Sequence, residues 1–332
     1  MKPRVLLTYG PTARRNYYGE AALQALQRIA DVRLHESESP LVGAALLEAA
    51  RGCRVIISDR QAAAPADLFA RLPDLVVFER CAVDVRNVDI AAASAAGVLV
   101  THASAGFGNA VAEWALGAMI ALARGFPGAV HAFRQGQPVP VGMGSELRGA
   151  TLGVIGYGVI GRRLCALGHA LGMRVLVADP FTRIDDPQVT QLALDELLPR
   201  ADHVVCLAPA TAATENLMDA RRFAACKPGA FFLNASRGEL VDEGALLRAL
   251  DEGPLAGCAM DVGRAPDQMP SPGLAAHPRV LATPHIGGLT PEAVQHQSRE
   301  TVAQLEQLLA GKMPQGALNP AHARRLSRLQ SD

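Results

Sequence analysis

The segment from Leu152 to Asp179 reads LGVIGYGVIGRRLCALGHALGMRVLVAD, and it decides the fold. LGVIG (Leu152–Gly156) predicts a buried strand, and RVLVA (Arg174–Ala178) predicts a second strand after an intervening helix. A glycine-rich GxGxxG turn joins the first strand to that helix, and Asp179 stands 18 residues beyond the last glycine of the turn. Together these features indicate a dinucleotide site. The acid favours NAD over NADP, because a carboxylate binds the adenosine ribose hydroxyls and repels a 2′-phosphate.

Each residue of the turn has a predicted physical role. Gly156 allows the tight bend, Gly158 lets the backbone approach a pyrophosphate, and Gly161 allows the helix to pack closely on the strand. The backbone N–H groups of Val159 and Ile160, at the start of the helix, are expected to donate to the phosphates.

Composition excludes several classes of protein. The 332 residues are enough for two domains, and 32 basic residues balance 32 acidic ones, so no charge excess points to nucleic acid or to a membrane. The six cysteines are scattered without a CxxC pair or a metal-ligand spacing, which favours a reducing cytoplasm and no metal site. The N-terminal residues lack a signal-peptide core, and the most apolar helix, about 111–123, is too short to span a bilayer.

Short apolar strands alternate with helical segments, a pattern typical of parallel α/β folds. Strands are predicted at residues 5–9, 55–58, 75–79, 98–102, 204–208, 230–235, 257–262 and 280–284, and helices at about 21–29, 42–50, 109–124 and 291–309. The glycine turn lies mid-chain, and the tail after the last strand is too small to fold alone. We therefore predict two doubly wound parallel-sheet domains. An inserted Rossmann NAD domain covers 101–288, and a discontinuous flavodoxin-like substrate domain comprises 1–100, completed by 289–332. A small-molecule site is expected in the cleft between them.

Three further segments carry a family resemblance: NASRGELVD (Asn234–Asp242), GCAMDV (Gly257–Val262) and PHIGG (Pro284–Gly288). Their order and spacing after the glycine turn resemble the D-isomer-specific 2-hydroxyacid dehydrogenases, in the branch that is similar to phosphoglycerate dehydrogenase. The resemblance implies NAD-dependent hydride transfer at C2 of a small 2-hydroxy or 2-keto acid. It also implies a homodimer built around the long inter-domain helices.

The resemblance assigns roles to two residues. Arg237 is similar to the arginine that holds the substrate carboxylate, for which a planar guanidinium is suited. His285 is similar to the acid–base residue at the C2 oxygen, and imidazole is the side chain poised near neutral pH. Further cofactor contacts are implied at Pro209 and Thr214 beside the adenosine, and at Ala235, Ser236, Arg237, Asp261, His285, Gly287 and Gly288 beside the nicotinamide.

One family feature is missing. The family has a glutamate followed by proline after the Asp-Val pair, and that glutamate hydrogen-bonds the histidine and raises its pKa. Here Ala265 takes its place in a run that is one residue shorter, and no glutamate lies between Asp261 and His285. If nothing replaces it, reduction should fall off at lower pH than in an enzyme with the full triad. Alternatively, Asp267 substitutes from a rebuilt loop.

The expected substrate side also departs from the family pattern. The carboxylate-binding loop carries Val83 and Asp84 where glycines are usual, although their backbone N–H groups can still bind a carboxylate. Phe107, where many relatives have Asn, is expected either to narrow the pocket or make it more apolar, or to pack between domains. Arg60 is either a substrate contact or an ordinary surface arginine.

Three functions remain open from the sequence. The leading hypothesis is an NAD-dependent (R)-2-hydroxyacid dehydrogenase. D-3-phosphoglycerate is an alternative substrate, with Arg60, Arg80 and Arg86 as the only obvious phosphate ligands in the first domain. The third is a catalytically weak, NAD-responsive binding protein of the same fold, against which the retention of Arg237 and His285 argues.

Overall fold

The computed structural model describes residues 2–139 and 141–329, with the backbone but not the side chain of residue 267. The chain divides into two compact units. Unit 1 is Met1–Gly106 with Thr290–Asp332, and unit 2 is Phe107–Leu289.

Unit 1 contains a five-stranded parallel sheet of order β2-β1-β3-β4-β5, the flavodoxin-like order. Its elements are β1 Arg4–Leu7, α1 Pro11–Tyr17, α2 Glu20–Ile29, β2 Asp31–Leu34, α3 Gly43–Ala50, β3 Val55–Ser58, α4 Ala66–Arg71, β4 Val77–Arg80, α5 Ile90–Ala96, β5 Leu99–His102 and, numbered in chain order after unit 2, α13 Pro291–Leu309. Val302, Leu305 and Leu308 of α13 are buried in one core with β1 and α2, so unit 1 is built from two separate parts of the chain.

The first predicted boundary is misplaced by a few residues. A boundary after residue 100 would cut β5, which pairs along its length with β4 from Leu99 opposite Val77 to His102 opposite Arg80. Hydrogen bonding of this edge strand keeps residues up to His102 in unit 1, and the Ser104 N–H bonds to Glu300 of α13, so the unit extends to Gly106.

Unit 2 is a seven-stranded parallel sheet of order β12-β11-β10-β9-β6-β7-β8. Its elements are α6 Gly108–Arg124, α7 Phe126–Arg134, β6 Thr151–Ile155, α8 Val159–Ala170, β7 Arg174–Ala178, β8 Val189–Gln191, α9 Leu194–Leu197, β9 His203–Cys206, α10 Ala220–Ala224, β10 Phe231–Asn234, α11 Glu243–Asp251, β11 Gly257–Met260, α12 Pro272–Ala275 and β12 Val280–Ala282. The order reverses beside β6, as in a Rossmann fold, and the loops at the carboxyl ends of the strands next to this point form the usual ligand site. The predicted α/β class with a Rossmann domain is confirmed.

Within the described ranges, no single helix is long and apolar enough to cross a membrane; α6 and α7 pass that test only together, and they are bent by 71° at their junction. All six cysteines are buried free thiols. The predicted cytoplasmic location stays a prediction.

Candidate active site

The glycine turn at the end of β6 has the geometry that its spacing predicts. Gly156 has φ 100°, and a Cβ there would lie 2.9 Å from the backbone of Leu207 and Ala208. A Cβ on Gly161 would lie 2.2 Å from the carbonyl oxygen of Gly156, so α8 packs too closely on the turn for any side chain. Both positions therefore require glycine.

The start of α8 fits a pyrophosphate group. A Cβ on Gly158 would meet nothing within 4 Å, so the side facing the helix start is open. Gly158 is the N-cap and no side chain caps the helix, so the N–H groups of Val159 and Ile160 are not taken up by a cap. The first turn carries no acid that would repel an anion.

Asp179 lies at the carboxyl end of β7, beside this turn. Its carboxylate accepts hydrogen bonds from the backbone N–H groups of Tyr157 (2.8 Å), Phe181 (2.9 Å) and Thr182 (3.0 Å). Partial burial raises the pKa of Asp179, but these donors together outweigh burial and hold the pKa below its ordinary value. The side chain is therefore a fixed anion, as recognition of an unphosphorylated ribose requires.

The loop predicted to border the adenosine is closed by its own hydrogen bond. Thr214 Oγ1 donates to the carbonyl oxygen of Pro209 at 2.7 Å, and Thr211 caps the 3₁₀ turn Ala212–Thr214. The loop is thus preformed, although its contact with adenosine stays a prediction.

Arg237 follows β10 in a turn that is fixed by Asn234. The Asn234 side chain accepts from the N–H of Ser236 (3.0 Å) and donates through Nδ2 to the carbonyl oxygen of Arg237 (2.8 Å). Ser236 Oγ donates to the carbonyl oxygen of Ala208, and Arg237 Nη1 donates to that of Ser236 at 2.7 Å. Buried Ala235 lies within the same turn. The backbone on either side of the Ser236–Arg237 peptide bond is therefore held by the Asn234 side chain.

His285 follows β12 and has a left-handed backbone with φ 55°, which is uncommon outside glycine. Its N–H lies 2.9 Å from the carbonyl oxygen of Asp261, and the Asp261 N–H donates to the carbonyl oxygen of Asn234 at 3.1 Å. Because β10, β11 and β12 are adjacent and parallel, these bonds join the turns that carry Arg237 and His285. The two predicted catalytic residues thus belong to one hydrogen-bonded edge of the sheet.

The buried Asp261 carboxylate lies beneath the loop that carries His285. It accepts hydrogen bonds from Thr283 Oγ1 (2.6 Å), the Ile286 N–H (2.8 Å) and the Gly287 N–H (2.7 Å). A carboxylate offers about four acceptor positions, so most of its capacity is used within this loop. The predicted carboxamide contact stays a prediction, and sequence reasoning missed that Asp261 fixes the His285 loop.

The two glycines after His285 lie in confined positions. A Cβ on Gly287 would be 2.8 Å from Asp261 Oδ2, and a Cβ on Gly288 would be 3.2 Å from Cβ of Phe107. Phe107 therefore lies close to this loop within unit 2, and its expected roles, in the pocket or between the domains, stay predictions.

The shortened loop after β11 closes on itself. The Gly263 N–H donates to the carbonyl oxygen of Gln268 (2.8 Å), and the Ala265 N–H donates to that of Met269 (3.0 Å). Ala265 caps a 3₁₀ turn and carries no acid–base group. The side chain of Asp267, the candidate substitute for the glutamate, lies outside the described part of the chain.

The candidate substrate residues of unit 1 differ in their exposure and in their partners. Arg60 and Val83 are exposed, while the Asp84 carboxylate accepts from Arg86 N (3.0 Å) and forms a 2.9 Å ion pair with Arg86 Nη2. Arg80 is 1% exposed, and its guanidinium donates to the Asp59 carbonyl oxygen and to Asn87 Oδ1. Arg80 is thus a structural residue rather than a phosphate ligand.

Across residues 2–139 and 141–329, no group of three or more His, Cys, Asp or Glu side chains is placed to hold a metal ion.

Comparison with known proteins identifies the family. Residues 116–287 match the family model described as D-isomer specific 2-hydroxyacid dehydrogenase, NAD binding domain. The chain is 35% identical over 282 residues to D-3-phosphoglycerate dehydrogenase of Rattus norvegicus, a match that covers 82% of this chain and 52% of that protein. It therefore spans about half the length of that relative. The (S)-sulfolactate dehydrogenase of Chromohalobacter salexigens is 34% identical over 294 residues, covering 86% of this chain and 93% of that protein.

Solved structures agree with this assignment. The TT0316 protein from Thermus thermophilus superposes with a TM-score of 0.85 at 32% identity, covering 95% of this chain and 99% of that one. The apo D-lactate dehydrogenase from Escherichia coli gives 0.81 at 25% identity, covering 96% and 100%. The chain belongs to the D-isomer-specific 2-hydroxyacid dehydrogenase family, and unit 2 is its NAD-binding domain.

Proposed function

We propose that this protein transfers a hydride reversibly between a nicotinamide and C2 of an (R)-2-hydroxy or 2-keto acid. The observation that carries the proposal is the chain of backbone hydrogen bonds from Asn234 through Asp261 to His285, which joins the turns bearing Arg237 and His285. A binding protein that only senses NAD has no need of a carboxylate-binding arginine and an acid–base histidine on one sheet edge.

NADH, when bound, supplies the hydride that reaches C2. Arg237 holds the substrate carboxylate through its planar guanidinium and polarises the neighbouring carbonyl. His285 donates a proton to the C2 oxygen as the 2-keto acid is reduced, and it accepts that proton when the hydroxy acid is oxidised. Gly156, Gly158, Gly161 and Asp179 hold the dinucleotide, for which their geometry is suited.

Single substitutions at the two residues test the proposal. His285→Gln is expected to lower kcat about 10²–10⁴-fold, because it removes general acid–base catalysis. Arg237→Gln is expected to raise KM for the 2-keto acid and to lower kcat/KM by about 10²-fold or more, through loss of a bidentate charged contact. Both variants should still bind NADH, measured by its fluorescence. The matched controls are His277→Gln, which alters a hydrogen bond to Asp251, and Arg221→Gln, which alters an exposed ion pair with Asp195.

Two results would overturn the proposal. One is full turnover in either variant. The other is absence of turnover by the wild-type protein with every 2-keto acid of a panel despite NADH binding, which would favour the NAD-responsive binding protein.

We further propose that the substrate carries a single anionic group, its carboxylate. Of the three arginines that the sequence offers in unit 1 as phosphate ligands, Arg80 is buried in structural hydrogen bonds and Arg86 is paired with Asp84, which leaves Arg60 alone. The similarity to D-3-phosphoglycerate dehydrogenases favours the alternative. Comparison of kcat/KM for hydroxypyruvate and 3-phosphohydroxypyruvate decides between them: a preference for the phosphorylated substrate would refute our assignment.

The active form is proposed to be a homodimer that pairs through α7. Within the described chain no residue of this helix is buried, and its Phe133 is 75% exposed beside exposed Phe126 and Val130. Contiguous apolar surface of this kind is typical of a protein interface. Phe133→Glu is expected to reduce the mass in light scattering from twice 34.9 kDa to one chain. The control Phe181→Glu, at another exposed phenylalanine, should leave it unchanged.

A further inference from the structure

Arg264, in the shortened loop after β11, makes an unusual set of contacts. Its Nη2 atom lies 2.7 Å from Asn216 Oδ1, 2.8 Å from Glu215 Oε1 and 2.9 Å from the carbonyl oxygen of Glu239. Its Nε donates to the carbonyl oxygen of Val241 at 3.3 Å. One guanidinium therefore binds two segments that are distant in sequence.

These two segments lead directly to the cofactor loop and to the catalytic arginine. Glu215 follows the predicted adenosine loop that ends at Thr214, and Glu239 is two residues from Arg237. The segments also pair with each other, since the Asn216 N–H donates to the carbonyl oxygen of Glu239 and the Met218 N–H to that of Leu240, both at 2.8 Å.

The Asn216 backbone supports this view of the junction. Its φ of 49° is a left-handed conformation that costs free energy in a residue other than glycine. The Asn216 side chain accepts from Arg264, so the guanidinium stabilises the strained residue at the point where the segments meet.

A close backbone contact connects the same loop to Arg237. A Cβ on Gly238 would lie 2.2 Å from the carbonyl carbon of Gly263, the residue before Arg264. The backbone after Arg237 therefore rests on the loop that Arg264 anchors, and movement of this loop would displace the turn that carries the catalytic guanidinium.

We propose that Arg264 is a positioning residue that holds the Arg237 turn for substrate binding and joins it to the adenosine loop. The ion pair with Glu215 is partly exposed and contributes little by itself. The effect comes from the two carbonyl oxygens and the Asn216 side chain, which need the fixed fork of a guanidinium. The proposal rests on the hydride-transfer function proposed above.

Arg264→Gln and Arg264→Lys test the proposal beside the control Arg222→Gln. Arg222 donates to the neighbouring Leu217 carbonyl oxygen at 2.6 Å and to Asp195, but it has no contact with residues 237–241 among the described bonds. We expect both Arg264 variants to lower kcat/KM for a 2-keto acid about tenfold or more, mainly through KM. The affinity for NADH should fall by less than kcat/KM, since the glycine turn is untouched and only the adenosine loop loses a contact. Arg222→Gln should leave both constants unchanged.

Amide hydrogen exchange of the cofactor-free protein gives a readout independent of activity. The amides of Asn216, Met218 and Asp242, which bond across the junction, should exchange faster in the Arg264 variants than in Arg222→Gln. Unchanged exchange and kinetics would overturn the proposal. So would equal losses of NADH affinity and kcat/KM, which would make Arg264 a general support of unit 2. If the wild-type protein reduces no 2-keto acid, the proposed function fails. The role of Arg264 is then still tested by amide exchange, because unchanged exchange in the Arg264 variants would refute it.

Discussion

Replacing Asp261 by Asn should release the His285 loop while unit 2 stays folded. The Asp261 carboxylate is 3% exposed and accepts three hydrogen bonds from residues 283–287. An asparagine side chain has one oxygen, so its amide NH₂ would face at least one buried donor, the Gly287 N–H. A hydrogen bond to a charged group contributes about 1.5–3 kcal/mol, and a buried donor left unsatisfied costs about 1–3 kcal/mol. Both figures describe the same broken contact and do not add, so the loop should lose about 2–3 kcal/mol of its stability relative to open forms.

The kinetic consequence follows from the position of His285 on this loop. Misplacement of a catalytic group by about 1 Å costs about 10²-fold in rate, and we expect a loss of that size in kcat for Asp261→Asn. The assay is steady-state NADH oxidation with a 2-keto acid, accompanied by amide exchange at Ile286 and Gly287. Exchange at both amides should become faster, and NADH binding at the glycine turn should persist.

A control separates this effect from the chemistry of an Asp-to-Asn change. Asp219 caps α10 by accepting one hydrogen bond from the Arg222 N–H at 2.9 Å, and asparagine caps helices as well as aspartate does. Asp219→Asn should therefore leave kcat and stability nearly unchanged. If Asp261→Asn retains wild-type kcat and amide protection, the view that Asp261 holds the His285 loop is wrong.

Two further predictions concern stability. His203 is 1% exposed, and burial lowers its pKa from 6.5 to about 4. The imidazole is therefore protonated at higher pH in the unfolded chain than in the folded protein. Because protonation favours unfolding, stability is lost as the pH falls from 6.5 towards 4. The free energy of unfolding, measured with urea at pH 7 and pH 4.5, should fall by about 2–3 kcal/mol less in His203→Phe than in the wild-type protein. An equal fall in the two proteins contradicts the prediction. Gly161→Ala places a Cβ 2.2 Å from the Gly156 carbonyl oxygen and should cost about 1–3 kcal/mol of unfolding free energy. The added methyl group of Gly158→Ala would face open space, so this variant should bind NADH more weakly but lose no more than about 1 kcal/mol of stability. The assigned glycine roles would be excluded if thermal melts showed Gly158→Ala to be the less stable variant and NADH titrations showed it to bind normally.

Two strands are predicted to the residue, and both lie inside their sheets rather than at an edge. VIIS and RVLVA coincide with β3 and β7, because continuous apolar runs are typical of inner strands of parallel sheets. The edge strands β2 and β8 were missed, since DVRL and VTQ are partly exposed and mix polar with apolar residues. Helix α7 was missed as well, because the glycine and proline at its start resemble a loop.

The local parts of the site were predictable and the long-range parts were not. The roles of Gly156 and Gly161 depend on a turn of six residues, so their spacing is sufficient to predict them. The contacts of Asp261 and Arg264 depend on which strands are adjacent and on the path of three separate loops. No short pattern encodes these contacts, because the same residues in another register would face other partners.

The absence of the family glutamate takes on a different meaning once the loop is seen in three dimensions. A Cβ on Gly238 would collide with the backbone of Gly263, and a Cβ on Gly263 would lie 2.5 Å from Cα of Pro270. Three backbone segments therefore meet at one point, where neither glycine tolerates a side chain. Contacts of this kind fix the loop through its backbone, with Arg264 as the anchoring side chain. The loop can thus lack a carboxylate at Ala265 and still support the Arg237 turn, so the absence of the glutamate does not loosen the scaffold of the site.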